Sequence, residues 1–312
     1  RPPPCAPPPP PPLSTAPITP IAPPRHLPST ALSGAGTLVC VEKFDAKATL
    51  DLIEKHKITY LYQVPTMIQL ALQHDEGRTR DLSSLKSVLW SGARAPRDLV
   101  IDLQQRFPNR LGTDYSMSES VGPVSMTPLT GDLDILTETT GWPVPGRNVH
   151  LDEETGEICL RDDFMMEGYL DNPMATAASF DTEGRLKTGD LGHLNDKGAL
   201  SIVGRIKEMF KSGGYNVYQA EIEAVIESLE DVEAAAVIGV ADPLWGEVGH
   251  AFVLPRTGKT VSTDALRTLC KKKIANYKIP KLFEIQESLP LLPIGKIDKK
   301  ALIKRMEGFV FL

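Results

Sequence analysis

Apolar positions beyond the first 36 residues alternate between short continuous runs and positions spaced three or four residues apart. This alternation predicts β-strands connected by amphipathic helices. Residues 37–41 predict a buried strand and residues 58–64 predict another strand, and Asp45 predicts the N-cap of the helix between them. Residues 85–90 predict a further strand, which a second amphipathic helix follows. Such an order is typical of a parallel α/β layer, and we expect this layer to extend to about residue 125.

The pattern then changes to shorter segments. Residues 149–151 and 157–161 flank a polar turn, which predicts a β-hairpin. From Gly204 onward the pattern predicts a compact α+β unit of two helices and a strand. The predicted fold class is therefore an α/β large-domain remnant with a β-rich segment over residues 31–203, followed by a small α+β domain over residues 204–312.

The first 30 residues form a separate segment. Fourteen of the 27 prolines lie between Pro2 and Pro28. Proline fixes φ and lacks a backbone N–H, so we expect polyproline II or disorder here and no packed element. A disordered tail over residues 1–30 is the preferred interpretation. A ligand for an SH3-like groove and a misplaced gene start are the alternatives.

Composition and charge argue against several classes of protein. The net charge of −6 and the pI near 5.6 disfavour nucleic-acid-binding and membrane-surface proteins. No apolar run approaches the roughly 20 residues of a membrane span, and no signal-peptide pattern opens the chain. The six histidines form no pair at metal-binding spacing. Widely separated cysteines predict reduced thiols in a cytoplasmic protein. They are Cys5, Cys40, Cys159 and Cys270.

Residues 184–217 hold the densest set of candidate chemistry. Asp190 follows a Thr-Gly turn and offers a carboxylate to sugar hydroxyls. In the sequence Gly-Arg-Ile-Lys-Glu, Arg205 offers a cation to a phosphate, and Lys207 lies at a flexible joint. A basic Gly-Gly loop that suits an anion follows. It consists of Lys211, Ser212, Gly213 and Gly214.

Two further motifs lie on either side of this segment. Tyr115, Ser118 and Glu119 belong to the pentad Tyr-Ser-Met-Ser-Glu. Its ring, hydroxyl and carboxylate suit adenine stacking, a phosphate hydrogen bond and a Mg²⁺ contact. Lys296 lies in a loop of prolines and glycine near the C-terminus. Each motif alone is weak, because such residues are common in turns and on surfaces, but their order and spacing make the combination specific.

In this order the motifs resemble those of the adenylate-forming superfamily, which contains acyl-CoA synthetases, peptide-synthetase adenylation domains and luciferases. The resemblance covers roughly residues 30–305. The pentad at Tyr115 is similar to Tyr-Gly-x-Thr-Glu, with serines at the Gly and Thr positions. The motif that ends at Asp190 is similar to Tyr-Arg-Thr-Gly-Asp, and Lys296 matches the lysine of Pro-x-x-x-x-Gly-Lys.

The resemblance implies a role for each motif. Asp190 and Arg205 would contact the ribose, Lys207 would be the hinge of the small domain, and Lys296 would bridge the acid and the α-phosphate. The implied catalytic residues are Lys296, Glu119 and Ser118. The implied nucleotide-binding residues are Tyr115, Asp190, Arg205, Gly92 and Ala93. The implied CoA-binding residues are Lys211, Ser212, Gly213 and Gly214.

The implied activity is that of an AMP-forming acid–CoA ligase. Such an enzyme converts a carboxylic acid, ATP and CoA to acyl-CoA, AMP and pyrophosphate, with Mg²⁺ held by Glu119. The acid is expected to be a fatty or an aryl acid. One alternative is an amino-acid adenylation module of a peptide synthetase, which a carrier domain would follow, whereas this sequence ends at Leu312. The other is a non-catalytic remnant that binds a nucleotide.

One family motif has no counterpart. Residues 1–110 contain no Gly-Lys pair in a Ser/Thr-rich setting, so the Pro-Lys-Gly loop that holds the pyrophosphate end of ATP is missing. We therefore expect an N-terminally truncated chain with little or no acid-dependent ATP–pyrophosphate exchange. The small domain is expected to fold, because its core elements are all present.

Overall fold

The computed structural model describes residues 12–14, 36–41, 44–75, 77–292 and 296–306. These residues fall into two compact units. The first unit contains the described residues up to His150, with Cys159–Thr188 and Leu194–Ser201. The second unit contains Leu151–Ile158, Gly189–His193 and the described residues from Ile202 onward. The predicted boundary between residues 203 and 204 remains a prediction.

The secondary structure follows the alternation of the sequence. The strands are β1 (Pro12–Ser14), β2 (Val39–Cys40), β3 (Tyr60–Gln63), β4 (Ser87–Ser91), β5 (Leu111–Met117), β6 (Gly122–Met126), β7 (Trp142–Pro143), β8 (Val149–Leu151), β9 (Glu157–Leu160), β10 (Leu186–Leu194), β11 (Leu200–Arg205), β12 (Met209–Ser212), β13 (Tyr215–Tyr218), β14 (Val232–Asp242), β15 (Gly246–Pro255) and β16 (Leu282–Ile285). The α-helices are α1 (Ala46–His56), α2 (Pro65–Gln73), α3 (Arg97–Arg106), α4 (Leu133–Glu138), α5 (Pro173–Ala178), α6 (Gln219–Glu227), α7 (Thr263–Lys273) and α8 (Lys299–Met306). Short 3-10 turns form at Ile206–Glu208 and Asn276–Lys278.

The first unit is built on a seven-stranded sheet with the order β2-β1-β3-β4-β5-β6-β7. Strands β2 to β5 in this order are parallel, whereas β6 and β7 are antiparallel. Parallel neighbours need a crossover connection, which α1, α2 and α3 supply between successive strands. The predicted parallel layer is confirmed, and its expected end near residue 125 coincides with the change in strand direction.

Strand β1 corrects the expectation that the proline-rich stretch forms no packed element. It pairs in parallel with β2 on one side and with β3 on the other. Pro12 is the first residue of the strand, a position where a missing N–H is tolerated. Strand β2 therefore lies at the sheet edge, and its Cys40 is exposed, although the sequence predicts a buried strand. The other predictions for residues 1–30 fall outside the described residues.

Local signals fix the start and the buried face of α1. The carboxylate of Asp45 accepts a hydrogen bond from the backbone N–H of Ala48 at 2.6 Å, so the predicted N-cap is confirmed. Such a cap stabilises a helix by about 1 kcal/mol. Leu50 and Ile53 lie one turn apart on the buried face. The helix ends where Lys57 adopts a left-handed conformation with φ of 50°.

The core of the first unit lies between the parallel strands and their helices. Leu99 and Leu103 of α3 pack in one apolar cluster with Trp90 of β4 and Leu50 of α1. Full burial of such a side chain stabilises the fold by about 1.5–3 kcal/mol. The cluster therefore orients β4 and β5, the strands that carry the candidate nucleotide-binding residues.

The second unit is built on a five-stranded sheet, in which β13, β12, β15 and β14 follow in order and β16 pairs with β15. Side chains of β14 alternate between its two faces. Val237 joins an apolar cluster that includes Ile222 of α6 and Leu266 of α7. Ile238 joins a second cluster that includes Leu302 of α8. The sheet is therefore covered by helices on both faces.

Strand β14 lies at an edge of this sheet, and two carboxylates of α6 accept hydrogen bonds from that edge. The backbone N–H of Val237 donates to Glu223 at 2.7 Å, and that of Ala235 donates to Glu227 at 3.0 Å. Unpaired N–H groups on an edge strand are otherwise open to another strand. The two carboxylates therefore cap alternate donors along β14.

A four-stranded sheet, in the order β11-β10-β9-β8, contains the predicted hairpin. The turn between β8 and β9 is closed by the backbone N–H of Asp152, which donates to the carbonyl of Glu157 at 2.9 Å. Gly156 supplies the left-handed residue of this turn, with φ of 74°. The prediction of a hairpin here is confirmed.

Within the part of the chain that the structure describes, no helix combines the length and the apolar character needed to cross a bilayer. Cys159 and Cys270 are buried free thiols, whereas the free thiol of Cys40 is exposed. Cys5 lies outside the described residues.

Substitution of Gly141 by alanine is expected to destabilise the first unit far more than the same change at Gly184. Both glycines have positive φ, 82° and 74°, a conformation that costs alanine about 1–2 kcal/mol. A Cβ at Gly141 would also overlap the backbone of Met126 and Thr127, whereas Gly184 has no neighbour within 4 Å. In urea denaturation we expect losses of more than about 4 kcal/mol and about 1–2 kcal/mol, respectively. Equal losses would show that the overlap is relieved.

Candidate active site

The predicted site residues divide between the two units. The first unit contains Gly92, Ala93, Tyr115, Ser118 and Glu119. The remaining residues belong to the second unit and are Asp190, Arg205, Lys207, Lys211, Ser212, Gly213, Gly214 and Lys296.

In the first unit, the pentad continues from β5 into a turn. The ring of Tyr115 is buried, so a nucleotide base would contact only a small part of it. Ser118 is exposed, and the Glu119 carboxylate accepts a hydrogen bond from the hydroxyl of Tyr169 at 2.8 Å. This bond is the main cause of a raised pKa for Tyr169. The turn therefore presents a hydroxyl and a carboxylate from adjacent residues.

Arg147 fixes the chain after this turn, and no sequence motif indicates it. Its guanidinium lies 2.9 Å from the carboxylate of Asp162, and the two side chains are 4% and 3% exposed. It also donates to the backbone carbonyls of Ser120 and Pro123. Loss of one partner of such a buried pair costs about 3–5 kcal/mol. Arg147 is therefore a structural support for the segment that follows Glu119.

Asp114 is a second residue that no motif indicates, although it precedes Tyr115. Its side chain is 3% exposed, and Oδ2 accepts hydrogen bonds from the hydroxyls of Tyr62 at 3.3 Å and Ser91 at 3.1 Å. Among the described residues, Oδ1 has no hydrogen-bond partner. Burial raises the pKa of Asp114 to about 6, and the hydrogen bonds from Tyr62, Ser91 and Ser116 oppose this rise.

Gly92 and Ala93 form an exposed loop directly after β4. Gly92 has φ of 82°, which favours glycine. The hydroxyl of Ser91 donates to the backbone carbonyl of Asp114 at 3.0 Å. The structure thus brings this loop next to the strand that carries Tyr115. A contact between the loop and a nucleotide remains a prediction.

In the second unit, Asp190 and Arg205 form an ion pair. Nε of Arg205 lies 2.8 Å from Oδ1 of Asp190, and their side chains are 58% and 5% exposed, respectively. The residues lie on the neighbouring strands β11 and β10. The predicted Thr-Gly turn is wrong, because both residues and Asp190 lie within β10. The N–H of Gly189 donates to Glu157 at 2.8 Å. The two predicted ribose contacts are therefore brought together, and their role in ribose binding remains a prediction.

The basic Gly-Gly loop is the tip of the β12–β13 hairpin. Ser212 pairs with Tyr215 across the turn, and Gly213 and Gly214 have φ of 58° and 84°. Positive φ at both central residues is what a type I′ turn requires, so the hairpin itself accounts for the glycine pair. Lys211 and both glycines are exposed, whereas Ser212 is buried. Their contacts with CoA remain a prediction.

Lys296 lies near the ion pair of the second unit. Burial lowers its pKa, and Arg205 lowers it further, whereas Asp190 and Glu208 oppose this change. The structure therefore places two carboxylates and a guanidinium close enough to Lys296 to influence its charge. The predicted hinge residue, Lys207, is exposed in the 3-10 turn that also contains Glu208.

Magnesium fits the first unit only as a partner of phosphate. In the described ranges, no three His, Cys, Asp or Glu side chains lie close enough to hold a metal by themselves. Glu119 offers a single carboxylate. Mg²⁺ is commonly bound through one or two carboxylates and substrate phosphates, so Glu119 suits an ion that arrives with a nucleotide.

Comparison with known proteins identifies the class. The fold class is that of an adenylate-forming enzyme. The family described as AMP-binding enzyme matches residues 13–170, and the AMP-binding enzyme C-terminal domain matches residues 221–296. The chain therefore belongs to the AMP-binding enzyme family.

Individual relatives support this assignment. The chain is 38% identical over 272 residues to a CoA ligase for a methyl-dioxo-octahydroindenyl propanoyl group from Rhodococcus jostii strain RHA1, with 87% of the chain and 52% of that protein covered. It is 34% identical to 4-coumarate–CoA ligase 2 of Solanum tuberosum, with 88% of the chain and 53% of that protein covered.

A solved structure shows the same fold. The amide bond synthetase McbA from Marinactinospora thermotolerans superposes with a TM-score of 0.80 and is 29% identical. The match covers 86% of this chain and 57% of McbA. The chain spans about half the length of the curated relatives it matches.

Replacement of Asp114 by asparagine is expected to flatten the pH dependence of stability between about pH 4 and pH 6. The folded-state pKa of about 6 lies above the unfolded value of 3.8, so the folded state binds a proton more tightly. The stabilisation that Asp114 contributes is therefore complete below about pH 4 and is lost as the pH rises through about 6. The change amounts to about 2–3 kcal/mol at 1.36 kcal/mol per pKa unit.

Urea denaturation at a series of pH values measures this effect. The control is Asp196→Asn, which alters an exposed aspartate and should retain the wild-type pH dependence. A pH dependence that persists in Asp114→Asn would contradict the assignment.

Proposed function

We propose that this chain belongs to an AMP-forming acid–CoA ligase, which converts a carboxylic acid, ATP and CoA to acyl-CoA, AMP and pyrophosphate. The observation that supports it most is the proximity of Lys296 to the Asp190–Arg205 ion pair within one unit of an AMP-binding enzyme chain. A carboxylate for a ribose and an amine for a reacting phosphate are what adenylation requires.

The first half-reaction joins the acid to the α-phosphate. We assign ribose binding to Asp190 and Arg205, and stabilisation of the developing charge to Lys296, whose ammonium is a compact point charge. Burial that lowers the pKa of Lys296 is opposed by Asp190 and Glu208, which favour the ammonium form. Ser118 and Glu119 would contact phosphate and Mg²⁺, because an exposed hydroxyl and a carboxylate suit those partners.

The second half-reaction transfers the acyl group to CoA. We assign the approach of CoA to the exposed tip of the β12–β13 hairpin, where Lys211 provides positive charge beside two glycines. The similarity to a 4-coumarate–CoA ligase favours an aryl acid, and a fatty acid is the second candidate. The cytoplasmic location remains a prediction of the sequence.

Amide synthesis is a second candidate function. The TM-score of 0.80 to an amide bond synthetase supports it, since an amine could replace CoA as the acceptor of the adenylated acid. A peptide-synthetase adenylation module and a non-catalytic nucleotide-binding chain are the further alternatives. The three catalytic candidates share the adenylate and differ in the acceptor of the acyl group. The non-catalytic chain would transfer no acyl group.

Thioester formation from a supplied acyl adenylate tests the second half-reaction alone. The chain then does not have to bind ATP or release pyrophosphate. We expect the chain to convert 4-coumaroyl adenylate and CoA to the thioester, measured by chromatography, and to show weak ATP–pyrophosphate exchange. Faster transfer to small amines than to CoA would select amide synthesis. Tight AMP binding without any transfer would select the non-catalytic chain and contradict the ligase.

AMP binding tests the nucleotide site directly. Asp190→Asn removes the charge that accepts hydrogen bonds from ribose hydroxyls, and charged hydrogen bonds contribute about 1.5–3 kcal/mol each. We therefore expect AMP affinity to fall about 10- to 100-fold by isothermal titration calorimetry. Asp196→Asn changes an exposed aspartate six residues further along the chain and should bind as the wild type does. Equal affinity of the two variants would exclude Asp190 from the site.

A further inference from the structure

A cluster of largely buried charge surrounds Lys299 in the second unit. Its Nζ lies 2.8 Å from Glu223, 2.9 Å from Glu208 and 3.0 Å from the side-chain oxygen of Gln219. The side chains of Lys299 and Glu223 are 20% and 16% exposed. An ammonium has three donors, and each one has an acceptor here. The cluster is therefore a specific arrangement, unlike a solvated surface pair.

The local helix environment disfavours a positive charge on Lys299. It is the first residue of α8, where the positive end of the helix dipole opposes a cation, and the first turn contains no acidic residue. Burial alone would lower its pKa, but Glu223 and Glu208 raise the pKa above its usual value. The ammonium at this site thus depends on carboxylates from distant parts of the chain.

These partners connect Lys299 to the candidate adenylation site. Glu208 lies in the 3-10 turn directly after Arg205, and Lys299 follows Lys296 by three residues. Glu223 is fixed in turn, because it accepts a hydrogen bond from the backbone N–H of Val237 at 2.7 Å. The contact between Lys299 and Glu208 therefore joins the chain beyond Lys296 to the chain beyond Arg205.

The chain between Lys296 and Lys299 has little freedom of its own. The carbonyl of Lys296 accepts from the N–H of Leu292 at 2.7 Å, and the N–H of Asp298 donates to the carbonyl of Pro290 at 2.8 Å. The carboxylate of Asp298 caps α8. A shift of Lys299 would therefore be transmitted to Lys296.

We propose that Lys299 is a positioning residue, which holds Lys296 beside the Asp190–Arg205 pair through its contacts with Glu208 and Glu223. The proposal rests on the proposed adenylation role of Lys296. Glu208 interacts with both lysines, because its carboxylate binds Lys299 and also acts on the charge of Lys296. Lys299 thus determines both where Lys296 lies and how much of the Glu208 charge it experiences.

Labelling of individual lysines tests this proposal in the full chain and needs no catalytic activity. The amines are acetylated with trace acetic anhydride across a pH series, and mass spectrometry quantifies the product at Lys296. In Lys299→Met, the Glu208 carboxylate no longer binds Lys299, so its charge acts on Lys296 alone. The loop that contains Lys296 also loses its contact with Glu208 and Glu223. Both changes raise the pKa of Lys296, so its labelling profile should move to higher pH, with a severalfold slower rate at neutral pH.

Three variants separate positioning from general stability. Lys300→Met alters the exposed neighbour of Lys299 and should leave the Lys296 profile unchanged. Lys299→Arg retains the charge and the donors and should restore most of the wild-type profile. Lys299→Gln retains a donor and removes the charge, so it should shift the profile in the same direction as Lys299→Met if the latter does not fold.

A purely structural role predicts a different result. Lys299→Met or Lys299→Gln would then lower the urea midpoint and leave the labelling profile of Lys296 in the folded chain unchanged, which would overturn the proposal. Failure of the ligase proposal is detected separately, because AMP binding and thioester formation would be absent in the wild type. The labelling result stands in either case.

Discussion

The second unit depends on the burial of charge in complementary pairs. Asp190 is buried against the more exposed guanidinium of Arg205, and Glu223 is buried against the ammonium of Lys299. A buried carboxylate without a cation would be protonated or would destabilise the fold. The first pair joins the neighbouring strands β10 and β11, and both of its charges act on Lys296. The second joins α6 to α8, three residues beyond Lys296.

The first unit also buries a carboxyl group, but its hydrogen-bond donors are neutral hydroxyl groups. Asp114 is surrounded by hydroxyl groups and has no cation among its hydrogen-bond partners, and its pKa rises accordingly. The Arg147–Asp162 pair, in contrast, is almost completely buried and is supported by backbone carbonyls. The two carboxyl groups are therefore buried with different kinds of partner, hydroxyls for Asp114 and a guanidinium for Asp162.

Much of the fold could be predicted from sequence, because its signals are local. Asp45 caps α1 as the sequence predicts, and Leu99 and Leu103 lie on the buried face of the amphipathic helix α3. Strand β1 could not be predicted, because proline content disfavours a strand and only the neighbours β2 and β3 make one possible. The exposed Cys40 has the same cause, since the sequence does not indicate which strand lies at an edge.

The candidate site likewise contains residues that the sequence indicates and residues that only the structure reveals. The order of motifs around Asp190, Arg205 and Lys296 could be read directly. The structure pairs Asp190 with Arg205, and the charges of both act on Lys296. Lys299 and Arg147 could not be recognised, because their partners lie 91 and 15 residues away in the chain. A lysine in a charged helix has no distinctive pattern until its acceptors are known.

The carboxylates that cap β14 have a consequence for solubility. Glu223 and Glu227 occupy the donors by which this edge could recruit a strand from another molecule. Glu223 also belongs to the cluster around Lys299, so the group that shields the edge is also a partner of the residue proposed to position Lys296. Selection on catalysis at this position would therefore act at the same time on the tendency of the protein to self-associate.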